Sequence, residues 1–244
     1  MRNIRLIISY DGTRYSGWQS QANAVTVQGT IEKTLKKITG GTVKLKGAGR
    51  TDSGVHARYQ AANFHTASKI PLEKLKDALN SNLPRDILIN TAEYVPGAFD
   101  SQKCARSKHY RYTVTTSRFV DPFIRHFVAR FSYPLNIGAM RSAAAKLAGK
   151  HDFKAFQASG SKEKDTVRTI KKIKIEKKGD MVYIDVWADG FLYNMVRTIA
   201  GTLLEIGRGK LPVSIISDIL RKKSRPLTGP TAPANGLCLM RVEY

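Results

Sequence analysis

The chain has 244 residues, of which 42% are hydrophobic, so it is long enough for one large domain or two small ones and is not a disordered chain. Its 41 Lys and Arg residues outnumber 19 Asp and Glu and give a formal net charge of +22. This charge favours nucleic acid as the partner, ahead of a membrane surface or a lysine-rich surface that only aids solubility. The two distant cysteines, Cys104 and Cys238, exclude a disulfide framework and a zinc pattern.

The distribution of apolar residues indicates the compartment. No apolar stretch approaches the length of a signal sequence or a membrane span. Cysteine use also fits a reducing environment. We therefore expect a cytoplasmic protein without a membrane partner.

In chain order, the first half alternates strands and helices. Residues 3–10 alternate apolar and polar side chains and predict a strand. Thr26 is placed to cap a helix, which Gly40 and Gly41 end. The other predicted elements are strands at 42–46, 59–65 and 86–95 and a helix that begins at Pro71. The order is that of a ferredoxin-like fold, in which helices cover one face of an antiparallel sheet.

An aperiodic polar stretch, residues 99–108, marks the crossing between two halves, 1–105 and 106–244. The second half is predicted to contain strands at 108–115, 127–131, 166–177, 181–188 and 236–243, and helices capped by Asn136 and ended by Gly149, at 191–206 and at 212–222. Residues 157–165, rich in Ser, Gly and Lys, are expected to be mobile. The fold class is α+β, with two ferredoxin-like or RRM-like halves whose antiparallel sheets are joined around a central active-site cleft.

Residues 47–57 (GAGRTDSGVHA) concentrate three glycines and several charged groups, which is typical of a shaped loop. Arg50 and Asp52 lie two residues apart and can serve one site. Asp52 has two interpretations. It is either a turn residue that bonds to its own backbone, which the spacing alone favours, or a catalytic carboxylate that Arg50 keeps ionised.

Motifs for cofactors and metals do not fit this chain. Asp52 stands where a dinucleotide-binding loop needs its third glycine, and no Walker lysine follows a glycine loop. The five histidines lack metal-ligand spacing, and there is no G-x-S-x-G motif. We therefore expect no metal and no cofactor.

Two residues outside this loop also have competing interpretations. Tyr110 lies in a predicted strand, where it shares one face with Tyr112, and it either stacks on a base or packs in the core. Arg197 is the odd residue in an apolar helix, so it either extends to solvent or pairs with a carboxylate in a cleft.

Residues 49–57 resemble the signature of the TruA family of tRNA pseudouridine synthases, and the resemblance runs along the whole chain. The motifs that agree in addition are YDG and GWQ within 10–19, NSNLP at 80–84, KHYRY at 108–112, HDF at 151–153 with Phe156, FLYNMVR at 191–197 and GPTAPA at 229–234.

The resemblance implies a role for each central residue. Asp52 would be the catalytic aspartate, and Arg50 would take the space of a flipped-out base. Tyr110 would stack on the target base, and Arg197 would hold Asp52 as an ion pair. The implied activity is cofactor-free isomerisation of uridines 38, 39 and 40 in the tRNA anticodon arm. The implied assembly is a homodimer that holds one tRNA across both chains.

The resemblance also implies a set of RNA contacts: Phe99, Lys103, Arg118, Gly160, Ser161, Lys162 and Lys164. The family usually reads His-Ala-Arg after Phe99, whereas this chain has Asp100-Ser101-Gln102. We expect Lys103 and Arg106 to compensate for that departure.

The chemistry agrees with the missing cofactor motifs. Pseudouridine formation breaks the C1′–N1 bond, rotates the base and rejoins it through C5, with no net redox change and no group donor. The base must first leave the stack. Asp52 can attack C1′, add at C6 or remove a sugar proton, and the sequence leaves all three open. The main alternative function is a non-catalytic RNA-binding or ribosome-associated protein. A base deaminase is a weaker one, because its zinc ligands are absent from the sequence.

Overall fold

The computed structural model describes residues 1–158, 160–161 and 163–244. It divides into two compact units: Met1–Arg106 together with Leu239–Tyr244, and Ser107–Cys238. The sequence placed all of 106–244 in one half, whereas the structure groups the last six residues with the first unit. The reason is that the C-terminal strand pairs with the strand at His56–Thr66, a long-range contact that local sequence patterns do not encode.

The first unit is built on an antiparallel sheet. Its elements are β1 (Arg2–Tyr10), α1 (Val27–Thr39), β2 (Lys46–Gly47), β3 (His56–Thr66), α2 (Leu72–Asn82), β4 (Ile87–Val95) and, at the end of the chain, β10 (Leu237–Glu243). The strand order is β4-β1-β3-β10, and β2 pairs with β3. Strand β1 lies between β3 and β4, with Ile4 opposite both Phe64 and Tyr94.

Helix α1 forms where the sequence predicts it. The Thr26 side chain accepts a hydrogen bond from the Gly29 N–H at 3.2 Å, and such a cap contributes about 1 kcal/mol. Gly40 ends the helix with φ +72°, a left-handed conformation that glycine adopts without strain. Ile31 and Leu35 lie on the buried side of the helix.

The predicted strand at 42–46 is wrong except at its last residue, since β2 covers only Lys46–Gly47. Side chains of α1 bind the backbone of Leu45 instead. Glu32 accepts the Leu45 N–H at 2.8 Å, and Gln28 donates to the Leu45 carbonyl at 3.1 Å. A segment whose backbone groups are bound by side chains does not need a sheet partner.

The second unit contains the remaining strands of the chain. Its elements are β5 (Ser107–Thr115), β6 (Ala129–Arg130), α3 (Ile137–Ala145), β7 (Gly149–Asp152), β8 (Val167–Lys178), β9 (Met181–Ala188), α4 (Met195–Gly207) and α5 (Ile215–Lys222). The strand order is β5-β9-β8-β7, and β6 pairs in parallel with β5. Helix α3 packs on α4 and β8.

Several helix boundaries in this unit differ from the predicted ones, and helix α5 begins at Ile215 rather than at residue 212. Helix α3 ends at Ala145, and Gly149 begins strand β7, which pairs with β8. Helix α4 begins at Met195 rather than at residue 191. Asn194 before it has φ +61°, so the helix cannot extend further towards the N-terminus.

Helix α4 is almost wholly buried and carries a strap formed by residues 228–236. A Cβ at Gly201 would lie 1.8 Å from the Pro230 carbonyl oxygen, so only glycine allows this close approach. Thr202 on the same helix accepts the Gly229 N–H at 3.0 Å. The strap therefore lies fixed along one side of α4.

Candidate active site

The loop that contains Asp52, residues 47–57, is anchored at its start to strand β3. The Ala48 N–H donates to the Ala61 carbonyl at 2.7 Å, and the Gln60 side chain donates to the Gly49 carbonyl at 2.9 Å. Gly47 lies directly against the indole of Trp18, where a Cβ would come within 2.5 Å of Nε1. Arg50 follows this anchored stretch and is exposed.

A second segment, residues 10–19, supports the middle of the same loop. The Trp18 N–H donates to the Thr51 carbonyl at 3.0 Å, and the Tyr10 hydroxyl lies 2.8 Å from Thr51 Oγ1. Gly17 has φ +88°, and a Cβ there would come within 2.6 Å of the Thr51 carbonyl oxygen. Thr51 is therefore buried and fixed by backbone and side-chain contacts immediately before Asp52.

Asp52 begins a tight turn. The Val55 N–H donates to the Asp52 carbonyl at 3.1 Å, and Gly54 has φ +75°, the conformation required at the third residue of a type II turn. Ser53 Oγ and the Gly54 N–H both donate to the Tyr15 carbonyl, at 3.2 and 3.3 Å. The turn interpretation of Asp52 therefore holds for its backbone, and it is compatible with a functional carboxylate on the partly buried side chain.

The end of the loop is fixed by His56, which is 3% exposed. Its Nδ1 accepts the Gly12 N–H at 3.0 Å and lies 3.1 Å from Oδ1 of Asp11. Gly12 also packs on Val55, whose carbonyl oxygen would lie 2.0 Å from a Cβ at that position. Sequence reasoning did not assign a role to His56, because its partners are distant in the chain.

In the second unit, Tyr110 is 6% exposed and lies in β5, opposite Val186 of β9. Its ring meets Phe191 edge to face, with centroids 5.1 Å apart and planes at 88°. Tyr112 is fully buried, and its hydroxyl donates to the Pro233 carbonyl at 3.0 Å. The low exposure of both rings agrees with the predicted common face of the strand.

Arg197, on α4, is partly buried. Its Nε donates to the Ala232 carbonyl at 2.8 Å, and Nη1 donates to the Asn194 side chain at 3.0 Å. The Ala232 N–H returns a bond to the Arg197 carbonyl at 3.1 Å. The guanidinium is thus held between the helix start and the strap, which contradicts a simple extension to solvent.

The departure after Phe99 has a structural explanation. Asp100 Oδ1 accepts the backbone N–H groups of Gln102 and Lys103 at 2.9 and 3.1 Å, and its Oδ2 lies 3.3 Å from Lys46 Nζ. Burial raises the pKa of Asp100, but these hydrogen bonds outweigh it and hold the pKa below its usual value. Asp100 therefore stabilises a turn that presents the exposed Lys103 side chain.

The other predicted RNA contacts are distributed over both units. The Phe99 ring packs on Tyr244 with centroids 5.1 Å apart, and Arg118 is exposed with its guanidinium 5.3 Å from the Phe119 ring. The remaining members of the set lie before β8.

Among these, Gly160 has φ +78°, Ser161 Oγ accepts the Gln157 side-chain N–H at 2.7 Å, and Lys164 is exposed. Lys162 lies outside the described residues.

Among the residues that the structure describes, no group of three or more His, Cys, Asp or Glu side chains could hold a metal ion. Within the same residues, every helix is too short or too polar to cross a membrane.

Comparison with known proteins identifies the class. The tRNA pseudouridine synthase family matches the chain over residues 6–102 and 143–244, which include the Asp52 loop and Arg197. The chain belongs to this family, and it isomerises uridine to pseudouridine in tRNA. A non-catalytic RNA-binding protein is therefore not favoured.

Individual relatives agree along the full length. The "tRNA pseudouridine synthase A" of Thermoanaerobacter sp. (strain X514) is 50% identical over 244 residues, 100% of both chains. The proteins of that name from Acetivibrio thermocellus and Moorella thermoacetica are 47% and 46% identical, over 100% and 99% of both chains. The resemblance to the TruA family is thereby confirmed.

A crystal structure of the archaeal box H/ACA sRNP Nop10-Cbf5 complex is a distant structural match. Its TM-score is 0.38 and its sequence identity 12%, and the match covers 83% of this chain and 43% of that chain.

Proposed function

We propose that this chain modifies uridines 38, 39 and 40 of the tRNA anticodon arm in the cytoplasm, with Asp52 as the catalytic carboxylate. The observation that supports Asp52 is the construction of its loop. Backbone hydrogen bonds from 10–19 and from β3 fix the residues on both sides of Asp52. A carboxylate on a rigid turn can approach a nucleotide with little loss of conformational entropy.

The target uridine must leave the stack before it can rotate, at a cost of a few kcal/mol. Arg50 is exposed beside Asp52, and its long planar side chain suits the role of occupying the vacated space. The positive charge of +22 supplies phosphate contacts that offset the cost of flipping.

Tyr110 is our proposed stacking partner for the flipped uracil. Phe191 meets its ring edge to face and so fixes the plane of the ring. Arg197 is our proposed partner of the catalytic carboxylate, as the family resemblance implies. Because Ala232 and Asn194 already orient the guanidinium, its charge is preorganised.

The test compares Asp52→Asn with Asp77→Asn, a change of the same kind at an exposed position of α2. Each purified full-length variant is incubated with unmodified tRNA, and pseudouridines are mapped along the whole tRNA. We expect Asp52→Asn to bind tRNA within about twofold of the wild type and to form no pseudouridine, because only the catalytic group is lost. Turnover close to that of Asp77→Asn would reject Asp52 as the catalyst.

We also propose that the chain is a homodimer. In the second unit, Phe119 is 76% exposed and Phe123 is 91% exposed. Interface cores are enriched in aromatic residues, and large exposed apolar patches mark binding surfaces. Light scattering of Phe123→Ser should show a shift to monomer, whereas Val25→Ser, at a residue 66% exposed in the first unit, should remain dimeric. A dimeric Phe123→Ser variant would exclude this surface.

A further inference from the structure

Lys108 lies near the start of β5, two residues before Tyr110. Side chains two residues apart on a strand point to the same face, with Cα atoms about 7 Å apart. Lys108 is therefore a neighbour of the proposed stacking ring. Its side chain is partly buried, and the strand register places it opposite Ala188.

Lys108 lies close to a second cation and to a carboxylate. Burial lowers its pKa most, the nearby Arg168 lowers it further, and Asp189 opposes both effects. The Asp189 carboxylate is already engaged, since its two oxygens lie 3.0 and 3.1 Å from the Thr169 N–H that donates to them. Lys108 and Arg168 thus both lie near the Asp189 carboxylate, which also accepts a backbone hydrogen bond.

Arg168 is held in place by local contacts. Its Nη1 donates to the carbonyls of Asp165 and Val167 at 3.0 and 2.6 Å, and only 17% of the side chain is exposed. Oδ2 of Asp165 lies 3.8 Å from Nη1 of Arg168, but the Asp165 side chain is 75% exposed, so water screens this ion pair. The guanidinium is also close enough to Lys108 to lower the pKa of that amine.

This cation pair and the Tyr110 ring border on the same short segment, residues 189–191. A Cβ at Gly190 would lie 3.3 Å from Nε of Arg168. The next residue, Phe191, meets the Tyr110 ring. The phosphate of a nucleotide whose base stacks on Tyr110 would therefore lie near Lys108 and Arg168.

We propose that Lys108, supported by Arg168, binds a backbone phosphate of the tRNA beside the uridine that stacks on Tyr110. This site rests on the proposed role of Tyr110. The ligand is a phosphodiester anion, and Lys108 contributes a point charge that phosphate binding stabilises. It adds affinity and register for the target nucleotide without taking part in bond breaking.

The first test measures tRNA affinity of Lys108→Met at several salt concentrations. Methionine keeps the length of the chain and removes the charge. We expect roughly fivefold to tenfold weaker binding and a slope of log K against log salt shallower by about 0.7 to 0.9, the value for one lost phosphate contact. Lys177→Met, at an exposed position of β8, is the matched control and should keep the wild-type slope.

The second test identifies the phosphate. A set of anticodon-arm RNAs carries one neutral methylphosphonate linkage each, at successive positions around the target uridine. At the linkage that Lys108 contacts, the neutral replacement should weaken RNA binding by the wild type about as much as Lys108→Met does. The same replacement should not weaken RNA binding by Lys108→Met any further. Additive losses at every linkage, or an unchanged salt slope, would overturn the site.

Two further measurements keep the result interpretable. Circular dichroism establishes that the variant is folded, and Lys108→Gln replaces it if methionine is not tolerated. Asp52→Asn separates a failure of the phosphate site from a failure of the proposed catalytic function. If that variant is inactive while Lys108→Met binds as wild type does, only the phosphate site fails.

Discussion

Tyr110 combines an aromatic ring with a hydroxyl, and the two groups are separable by mutation. If the ring stacks on the target base, Tyr110→Phe keeps most of the activity, whereas Tyr110→Ala loses about 1 to 3 kcal/mol of stacking energy. The edge contact with Phe191 is available to either aromatic residue. Single-turnover rates with saturating enzyme measure the difference. Equal losses in both variants would assign the function to the hydroxyl instead.

His56 offers a second experiment at this scale, because its bond to Gly12 uses one particular ring nitrogen. An asparagine amide oxygen occupies nearly the place of Nδ1, whereas a glutamine amide lies near Nε2. We expect His56→Asn to retain the bond and His56→Gln to lose about 1 to 3 kcal/mol in urea unfolding, because the Gly12 N–H is left unsatisfied.

The same comparison reports on catalysis. If His56 positions the Asp52 loop, the turnover number of His56→Gln falls by a larger factor than its KM rises. The turnover number of His56→Asn then stays close to that of the wild type. Equal behaviour of the two variants would leave His56 with a packing role alone.

Residue-scale prediction from sequence succeeds where chemistry is local. The spacing of Gly49, Arg50, Asp52 and Gly54 indicates a turn that carries charged groups, and the turn is present. The contacts of His56 with Gly12 were not predicted, since they join residues 44 positions apart. Such contacts depend on strand pairing, which a single local pattern does not specify.

At the scale of the elements, a buried carboxylate connects β5 to β9. Asp185 accepts hydrogen bonds from His109 at 2.6 Å and from Arg111 at 2.8 and 3.1 Å, and it is 1% exposed. Burial raises its pKa, but the hydrogen bonds from these two partners outweigh that effect, so the pKa lies below its usual value.

A carboxyl whose pKa is lowered by folding stabilises the protein above its unfolded pKa. That contribution disappears as the pH falls through the folded value. We therefore expect Asp185→Asn to be less stable than wild type by about 1 to 3 kcal/mol near neutral pH. The difference should shrink below about pH 4, where the unfolded carboxyl is protonated.

Urea unfolding of both proteins across this range measures the effect. Asp77→Asn is a suitable control, because Asp77 is exposed on α2. If the difference in free energy of unfolding between wild type and Asp185→Asn stays constant with pH, the charge of Asp185 does not stabilise the fold.

Element prediction was most accurate where periodicity and caps agree, as in α1 and the hairpin of β8 and β9. It failed at 42–46, where helix side chains bind the backbone, and at the start of α4, where Asn194 is left-handed. Both errors come from contacts or dihedral angles that composition does not reveal.

At the scale of the whole molecule, the sequence predicts two halves, and the structure has two compact units. The return of β10 to the first unit could not be predicted, because its pairing with β3 joins residues far apart in the sequence, and local patterns do not specify such a partner. The charge of +22, by contrast, is a property of composition alone and carries a prediction for the entire chain.

If that charge serves tRNA binding, affinity must fall steeply with salt. We expect log K to decrease linearly with log salt with a slope of about −4 or steeper, equivalent to five or so phosphate contacts. Catalysis at saturating tRNA should change little, since salt weakens the association of protein and tRNA and the complex is already formed at saturation. Anisotropy titrations and multiple-turnover rates over the same salt series measure both quantities. A flat slope would mean that the lysines mainly keep the protein soluble.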